Sequence, residues 1–124
     1  MMNLLDTHTA LWFLNGDKLP EKVKELIQNS ENYISVVSLW EIAIKMNLGK
    51  YTFDGGFQAL RKAVKDNGFK VLPIKDEYIV KLFDLPLIHR DPFDRLIIAT
   101  TITEDMTIIT IDENIQKYDI SWVW

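Results

Sequence analysis

The stretch NLLDTHTALW (residues 3–12) joins an apolar, strand-like run to an apolar, helix-like pattern through the polar residues Asp6, Thr7 and His8. A carboxylate at the end of a buried strand is unfavourable unless it caps a helix or holds a ligand. Thr7 is itself a good residue for capping the following helix, which leaves Asp6 without a purely structural explanation. The stretch therefore predicts a strand and a helix with a functional acid at their junction.

The same alternation of strand and helix patterns continues along the chain. The runs that predict strands are MNLL (2–5), YISVV (33–37), KVLPI (70–74), TIITI (107–111) and SWVW (121–124). Helical patterns occupy residues 9–15, 21–29, 39–50, 56–68, 76–85, 91–102 and 112–118. Several of the strand runs are apolar on both faces, as parallel strands covered by helices are. The pattern predicts an α/β fold, a three-layer α/β/α sandwich with a five-stranded parallel sheet and right-handed crossovers.

Length and composition predict one compact domain over residues 1–124. The chain has 124 residues, 48% of them apolar, and we find no linker, repeat or low-complexity segment. It has no cysteine, which excludes disulfides, thiolate metal sites and a cysteine nucleophile. No run approaches the roughly 18 to 20 apolar residues of a membrane helix, and the N-terminus does not resemble a signal peptide. We therefore expect a soluble, cytoplasmic protein with no membrane partner.

Acidic residues recur where the predicted strands end, the edge at which parallel sheets bind ligands. Asp6 follows the first strand, Glu41 follows the second by about one helical turn, and Asp112 follows the fourth. Asp94 lies in the first turn of the helix before the fourth strand, and Asp91 sits just ahead of it. The sequence predicts that these carboxylates converge.

Each of these acids except Asp6 also has a ready structural explanation. Ser38 and Glu41 have the spacing of a capping box, and Glu41 and Lys45 form a favourable i,i+4 pair. Asp91 before Pro92 is typical of a helix N-cap, and Asp112 has a similar position before its own helix.

These separate explanations leave the clustering itself unexplained, because the chain does not supply a matching group of Arg or Lys. Like charges at short range require protonation, a compensating base or a metal. Carboxylate oxygens without cysteine or paired histidines favour Mg²⁺ or Mn²⁺. Such ions act on phosphates, because carboxylates hold the ion while leaving it water for phosphodiester hydrolysis. The charge of −4 argues against broad binding to nucleic acid but is compatible with a nuclease.

Four ordered motifs, LLDTHTALW, SVVSLWEIAIKMNLGK, HRDPFDRLIIATT and IITIDENI, closely resemble PIN-domain proteins, above all the VapC-like toxins of bacterial type II toxin–antitoxin modules. The resemblance spans nearly the whole chain. It implies a PIN-like fold, a Mg²⁺- or Mn²⁺-dependent endoribonuclease acting on RNA, a cognate antitoxin and a homodimer. It implies Asp6, Glu41 and Asp94 as principal carboxylates, with Asp112 as a more variable fourth. Ser38 and Thr110, with Thr7, correspond to pocket-lining positions, and Asp91 is either a further metal ligand or only a cap.

The basic residues and histidines near these motifs have two readings each. Arg90 and Arg95 either contact RNA phosphate or neutralise the acids beside them. Lys45 and Lys50 belong to a basic run that is either a solvated face or a contact for RNA. His8 and His89 are more typical of neighbouring polar groups than of ligands.

Three other functions fit parts of the pattern. A phosphoacceptor receiver domain requires an acid pair after the first strand and an acid after the third, where this chain has Pro73, Ile74 and Lys75. A non-catalytic PIN-like scaffold would use the acids only as caps in a protein-binding domain. A related metal-dependent DNA nuclease would share the acid pattern.

Overall fold

The computed structural model, which describes residues 2–124, contains a five-stranded, all-parallel sheet in the order β3-β2-β1-β4-β5. The strands are β1 (Met2–Leu5), β2 (Glu31–Ser35), β3 (Lys70–Leu72), β4 (Thr107–Ile109) and β5 (Trp122–Val123). The helices are α1 (Thr7–Asn15), α2 (Glu21–Gln28), α3 (Val36–Asn47), α4 (Gly56–Asp66), α5 (Asp76–Asp84), α6 (Pro92–Glu104) and α7 (Glu113–Gln116). The predicted α/β fold is confirmed.

The two faces of the sheet are covered by separate apolar cores. On one face, Leu5, Ile34 and Ile109 pack with side chains of α1, α2 and α4. On the other, Leu4 and Ile108 pack with side chains of α6 and α7. Adjacent residues of β1 and β4 thus point to opposite cores, as the pleat requires. This double burial explains the uninterrupted apolar runs in the sequence.

The second strand ends earlier than the sequence predicts. The run YISVV predicts a strand to residue 37, but β2 ends at Ser35 and α3 begins at Val36. Ser35 caps the helix, because its hydroxyl accepts a hydrogen bond from the Val37 backbone N–H at 3.0 Å. The proposed capping box from Ser38 to Glu41 is therefore wrong, since Ser38 lies inside the helix. The prediction fails because two valines in the first turn of a helix give the same apolar sequence pattern as the end of a buried strand.

The strands β3, β4 and β5 are also shorter than predicted. β3 stops at Leu72, before Pro73, and β4 stops at Ile109. Between α3 and α4, Gly55 and Gly56 both have positive φ angles, 88° and 80°. Glycine is favoured at such positions. Within residues 2–124, no helix has the length and apolar character needed to span a membrane.

Candidate active site

Five acids come together at the carboxyl edge of the sheet, beside the ends of β1 and β4, the second turn of α3 and the first turn of α6. We call them the acid cluster: Asp6, Glu41, Asp91, Asp94 and Asp112. Burial is the main cause that raises the pKa of Asp94 to about 8, and repulsion from the other four carboxylates contributes to the same rise. The structure therefore brings together all the acids that the sequence singled out.

Asp6 is both a helix cap and a member of the acid cluster. Its side chain is almost fully buried. Oδ1 accepts a hydrogen bond from the Thr9 backbone N–H at 2.8 Å, and Oδ2 accepts one from the Thr110 hydroxyl at 2.5 Å. Burial raises the pKa of Asp6, while these hydrogen bonds oppose the rise. The expectation that Thr7 caps α1 is wrong, because Asp6 does so.

The predicted pocket-lining hydroxyls connect the elements that carry the acids. The Thr110 oxygen also accepts a hydrogen bond from the Asp112 backbone N–H at 3.0 Å, so one hydroxyl joins two members of the acid cluster. Thr7 donates to the Ser38 Oγ at 2.9 Å, which ties the start of α1 to α3. All three hydroxyl side chains are buried.

Glu41 is buried with its two carboxylate oxygens in different surroundings. Oε2 accepts a hydrogen bond from Lys45 Nζ at 2.7 Å, which confirms the predicted i,i+4 pair. This bond is the main cause of a raised Lys45 pKa. Oε1 is buried and has no hydrogen-bond partner within residues 2–124. A buried carboxylate oxygen without a partner is costly, so it marks a position where a cation would be favourable.

The Lys45 ammonium group continues this network towards the surface. Its Nζ lies 3.4 Å from the Tyr51 hydroxyl, which in turn is 2.9 Å from His8 Nε2. Lys45 is thus committed to the protein's own groups, whereas Lys50 is exposed.

Asp91 and Asp112 cap the helices that follow them, as predicted. Asp91 Oδ1 accepts a hydrogen bond from the Asp94 backbone N–H at 3.0 Å. Asp112 Oδ1 accepts hydrogen bonds from the backbone N–H groups of Asn114 and Ile115, at 2.8 and 3.4 Å. Capping leaves the second oxygen of each carboxylate free of that role.

Arg95 takes neither of the roles predicted for it. Its guanidinium is buried and donates to the Pro86 carbonyl oxygen at 2.8 Å and to the Tyr118 hydroxyl at 2.9 Å. It therefore pairs with neither Asp91 nor Asp94 and is not available to RNA. The sequence does not reveal this, because Arg95 follows Asp94 directly, whereas its hydrogen-bond partners are Pro86 and Tyr118. Arg90, by contrast, is exposed.

Two side chains near Asp94 were underrated or missed from the sequence. His89 Nε2 lies 3.2 Å from Asp94 Oδ2, and His89 Nδ1 lies 2.8 Å from the Tyr118 hydroxyl. The position of His89, two residues before Asp91, is a sequence signal that it lies near the acid cluster. Tyr118 has no comparable signal, because it lies just after α7 and is brought close to His89 only by the fold.

We expect Asp91→Ala to lower the free energy of unfolding by about 0.5 to 2 kcal/mol, because it removes the N-cap of α6. If capping is the main role of Asp91, the loss will be the same in EDTA and in Mn²⁺, as measured by thermal or urea unfolding. Asp84→Ala, at the exposed C-terminal end of α5, is the control without a cap. A loss seen only in Mn²⁺ would instead make Asp91 a metal ligand.

The chemistry of the acid cluster fits a divalent cation. Within residues 2–124, no group of three or more acidic or histidine side chains is arranged to hold a metal ion. The donors are nevertheless all hard oxygen ligands, and the raised Asp94 pKa reports negative charge without enough compensation. The buried, unpartnered Glu41 Oε1 points to the same deficit.

Comparison with known proteins agrees with this geometry. The sequence profile of the PIN domain matches residues 4–121. Similar solved structures include VapBC2 from Rickettsia felis bound to a DNA fragment from their promoter, with 16% identity and a TM-score of 0.75. The alignment covers 99% of this chain and 98% of that one.

Two further structures have the same fold. One is DNA-bound VapBC from Salmonella typhimurium, with 17% identity, a TM-score of 0.74 and coverage of 99% and 97% of the two chains. The other is a toxin–antitoxin complex from Klebsiella pneumoniae, with 18% identity, a TM-score of 0.69 and coverage of 98% and 96%. No curated protein sequence matches the chain significantly. Because the PIN profile covers nearly the whole sequence, the chain belongs to the PIN domain family.

Proposed function

We propose that the protein is a Mg²⁺- or Mn²⁺-dependent endoribonuclease and the toxin of a type II toxin–antitoxin module. The observation that carries this proposal is the acid cluster, in which five carboxylates meet and one buried oxygen of Glu41 has no partner. PIN domain proteins are nucleases, which supports hydrolysis of phosphodiester bonds.

Asp6, Glu41 and Asp94 are the residues that would hold the metal, with Asp112 or Asp91 as additional acids. A bound divalent ion supplies a water of lowered pKa and stabilises negative charge on phosphate oxygens. The chain's own residues prepare the site. Thr110 and Lys45 each hold one carboxylate oxygen, of Asp6 and Glu41 respectively, and so restrict how these side chains turn.

The exposed cations Arg90 and Lys50 are our candidates for contacts with the RNA backbone. Both belong to segments that adjoin acid-cluster residues, since Arg90 precedes Asp91 and Lys50 follows the helix that carries Glu41. The net charge of −4 does not favour sequence-blind binding to RNA. A small number of exposed cations is instead suited to contacts with a limited stretch of RNA.

The deciding experiment incubates purified protein with a pool of structured RNAs and, separately, with single-stranded DNA of the same sequences. Each substrate is tested with Mg²⁺, Mn²⁺ or EDTA, and cut sites are determined by sequencing. We expect metal-dependent cuts at defined RNA positions. Cleavage of DNA alone would favour the related DNA nuclease, and failure to cut either substrate would favour the non-catalytic scaffold.

An apolar groove of about 590 Å³ between α3 and α4 is our candidate site for the antitoxin. Leu39, Trp40 and Phe57 line it, and Arg61 and Lys65 supply positive charge. These features suit an amphipathic segment with acidic residues.

Expression of the protein alone should arrest growth, and co-expression of a small neighbouring gene should relieve the arrest. Harmless expression of soluble wild-type protein would contradict the toxin assignment without affecting the nuclease one.

The outer face of α5 and the loop after it is our candidate homodimer surface. Val80, Phe83 and Leu87 are 60%, 87% and 81% exposed, which is unusual for neighbouring large apolar residues. We expect Phe83→Glu to convert a dimer to a monomer in light scattering after size-exclusion chromatography, because it places charge in the contact. Leu48→Glu, also at an exposed apolar position but after α3, is the control. A dimer unchanged by Phe83→Glu would place the interface elsewhere.

A further inference from the structure

A chain of hydrogen bonds runs from a buried arginine to the acid cluster. Arg95 Nη1 donates to the Tyr118 hydroxyl at 2.9 Å. That hydroxyl lies 2.8 Å from His89 Nδ1, and His89 Nε2 lies 3.2 Å from Asp94 Oδ2. Arg95 and Tyr118 are both buried, so water does not compete freely for these groups.

The direction of each hydrogen bond is determined at the arginine end. A guanidinium can only donate, so the Tyr118 oxygen is the acceptor. The same oxygen accepts a second, longer hydrogen bond from the His89 backbone N–H at 3.4 Å. With both lone pairs engaged, the Tyr118 hydroxyl has only its proton left to offer, and the nearest acceptor is His89 Nδ1.

This direction specifies the tautomer of the imidazole. A neutral imidazole has one N–H and one unprotonated nitrogen. If Nδ1 accepts from Tyr118, the proton is on Nε2, the nitrogen that faces Asp94. The chain of donors then ends on Asp94 Oδ2, which accepts the hydrogen bond from the imidazole Nε2–H at 3.2 Å.

We propose that Arg95, Tyr118 and His89 are positioning residues. Arg95 and Tyr118 hold His89 in the Nε2-protonated tautomer, and His89 thereby anchors Asp94 Oδ2. Oδ1 would then be the Asp94 oxygen that is left to hold a metal. The role in metal binding rests on the proposed function, whereas the tautomer does not. Hydrogen bonding of a metal-binding carboxylate in this way commonly changes metal affinity by about 10- to 100-fold.

The first test observes the tautomer in the wild-type protein. The chain has only two histidines, so long-range proton–nitrogen NMR of a ¹⁵N-labelled sample resolves both, and His8→Gln assigns them. The spectrum is recorded in EDTA at a pH of about 9, well above the ordinary pKa of imidazole. We expect the pattern of an Nε2-protonated ring for His89. An Nδ1-protonated ring, an exchanging mixture of tautomers or a charged ring would overturn the proposal.

The second test breaks the chain of hydrogen bonds at Tyr118 and measures metal affinity. Tyr118→Phe should give a mixture of tautomers and weaken Mn²⁺ binding by about 10- to 100-fold in calorimetric titration. The matched control is Tyr78→Phe, which removes another buried hydroxyl, one that donates to Glu104 at 2.5 Å. We expect the control to leave both measurements unchanged. Unchanged Mn²⁺ affinity in a folded Tyr118→Phe protein would overturn the positioning role.

A third pair of variants covers the case in which Tyr118→Phe does not fold. His89→Gln keeps an N–H donor for Asp94, whereas His89→Ala removes it, so Mn²⁺ affinity should be higher in the glutamine variant. Equal affinities would overturn the proposal. A wild-type protein that binds no Mn²⁺ would contradict the proposed function, while the NMR measurement would still decide the tautomer.

Discussion

Replacing Asp6, Glu41 or Asp94 with its amide, as Asp6→Asn, Glu41→Gln or Asp94→Asn, is expected to reduce RNA cleavage by roughly two to four orders of magnitude. The amides keep the shape of each side chain and one acceptor oxygen but lose the charge that attracts a divalent cation. The measurement is single-turnover cleavage of one RNA identified in the sequencing experiment, with saturating Mn²⁺.

The control for this series is Asp119→Asn, because Asp119 is exposed and precedes β5, at the opposite edge of the sheet. Circular dichroism and melting temperatures will establish that each variant is folded. Full activity in one of the three variants would remove that residue from the active site. Full activity in all three would exclude the acid cluster as the catalytic centre.

The metal-free protein is expected to lose stability as the pH rises from about 4 to about 8. In the unfolded chain the Asp94 carboxyl ionises near its ordinary pKa of 3.8, whereas in the folded protein its pKa is raised to about 8 by burial and by neighbouring acids. Between these values the folded state binds a proton that the unfolded state has lost. Stability is therefore fully present below the lower value and decreases until the carboxyl ionises in the folded protein.

Asp94→Asn should remove the part of this dependence that comes from Asp94. In EDTA above pH 8 the variant should be more stable than the wild type, by several kcal/mol at about 1.4 kcal/mol per pKa unit. Below about pH 4 the two proteins should be similar, since Asp94 is then protonated in both states of the wild type. The raised pKa of Asp6 leaves a dependence of the same sign in the variant. Urea unfolding across this pH range is the measurement.

Mn²⁺ should narrow the difference in stability between the two proteins. A ligand at a hundredfold excess over its Kd stabilises the folded state by about 2.7 kcal/mol, and the wild type should gain this more readily than Asp94→Asn. A metal-free wild type that becomes more stable between pH 4 and 8 would contradict the placement of Asp94 among buried like charges. So would an Asp94→Asn variant that is less stable than the wild type at pH 8.

The elements that the sequence predicts well are those whose pattern is set by simple burial. β1 is found where the run MNLL predicts it, and α5 and α6 differ from their predicted ranges by one or two residues. The convergence of the acids is also predictable, because parallel strands place their carboxyl ends at one edge. Asp6, Glu41 and Asp94 are therefore recognisable before the fold is known.

The errors arise where one residue has two local explanations. Ser35 and Ser38 are both good caps, and only the burial of Ser38 against Thr7 decides between them. Because Thr7 follows Asp6, the sequence predicts that Thr7 caps α1, yet Asp6 is both the cap and a member of the acid cluster. The sequence places Arg95 beside the acids because Asp94 precedes it, whereas its guanidinium bonds to Tyr118, which is 23 residues away. Such contacts depend on tertiary packing and leave no periodic signal.

The central position of β1 has a consequence for the protein while it is being synthesised. Asp6 is made before its hydrogen-bond partner Thr110, which follows 104 residues later, after β4. At about 5 to 20 residues per second, several seconds separate the two. A nascent chain thus holds the first acid long before the last elements of the site exist. A fragment that stops before β4 therefore lacks both Thr110 and Asp112, and with them part of the acid cluster.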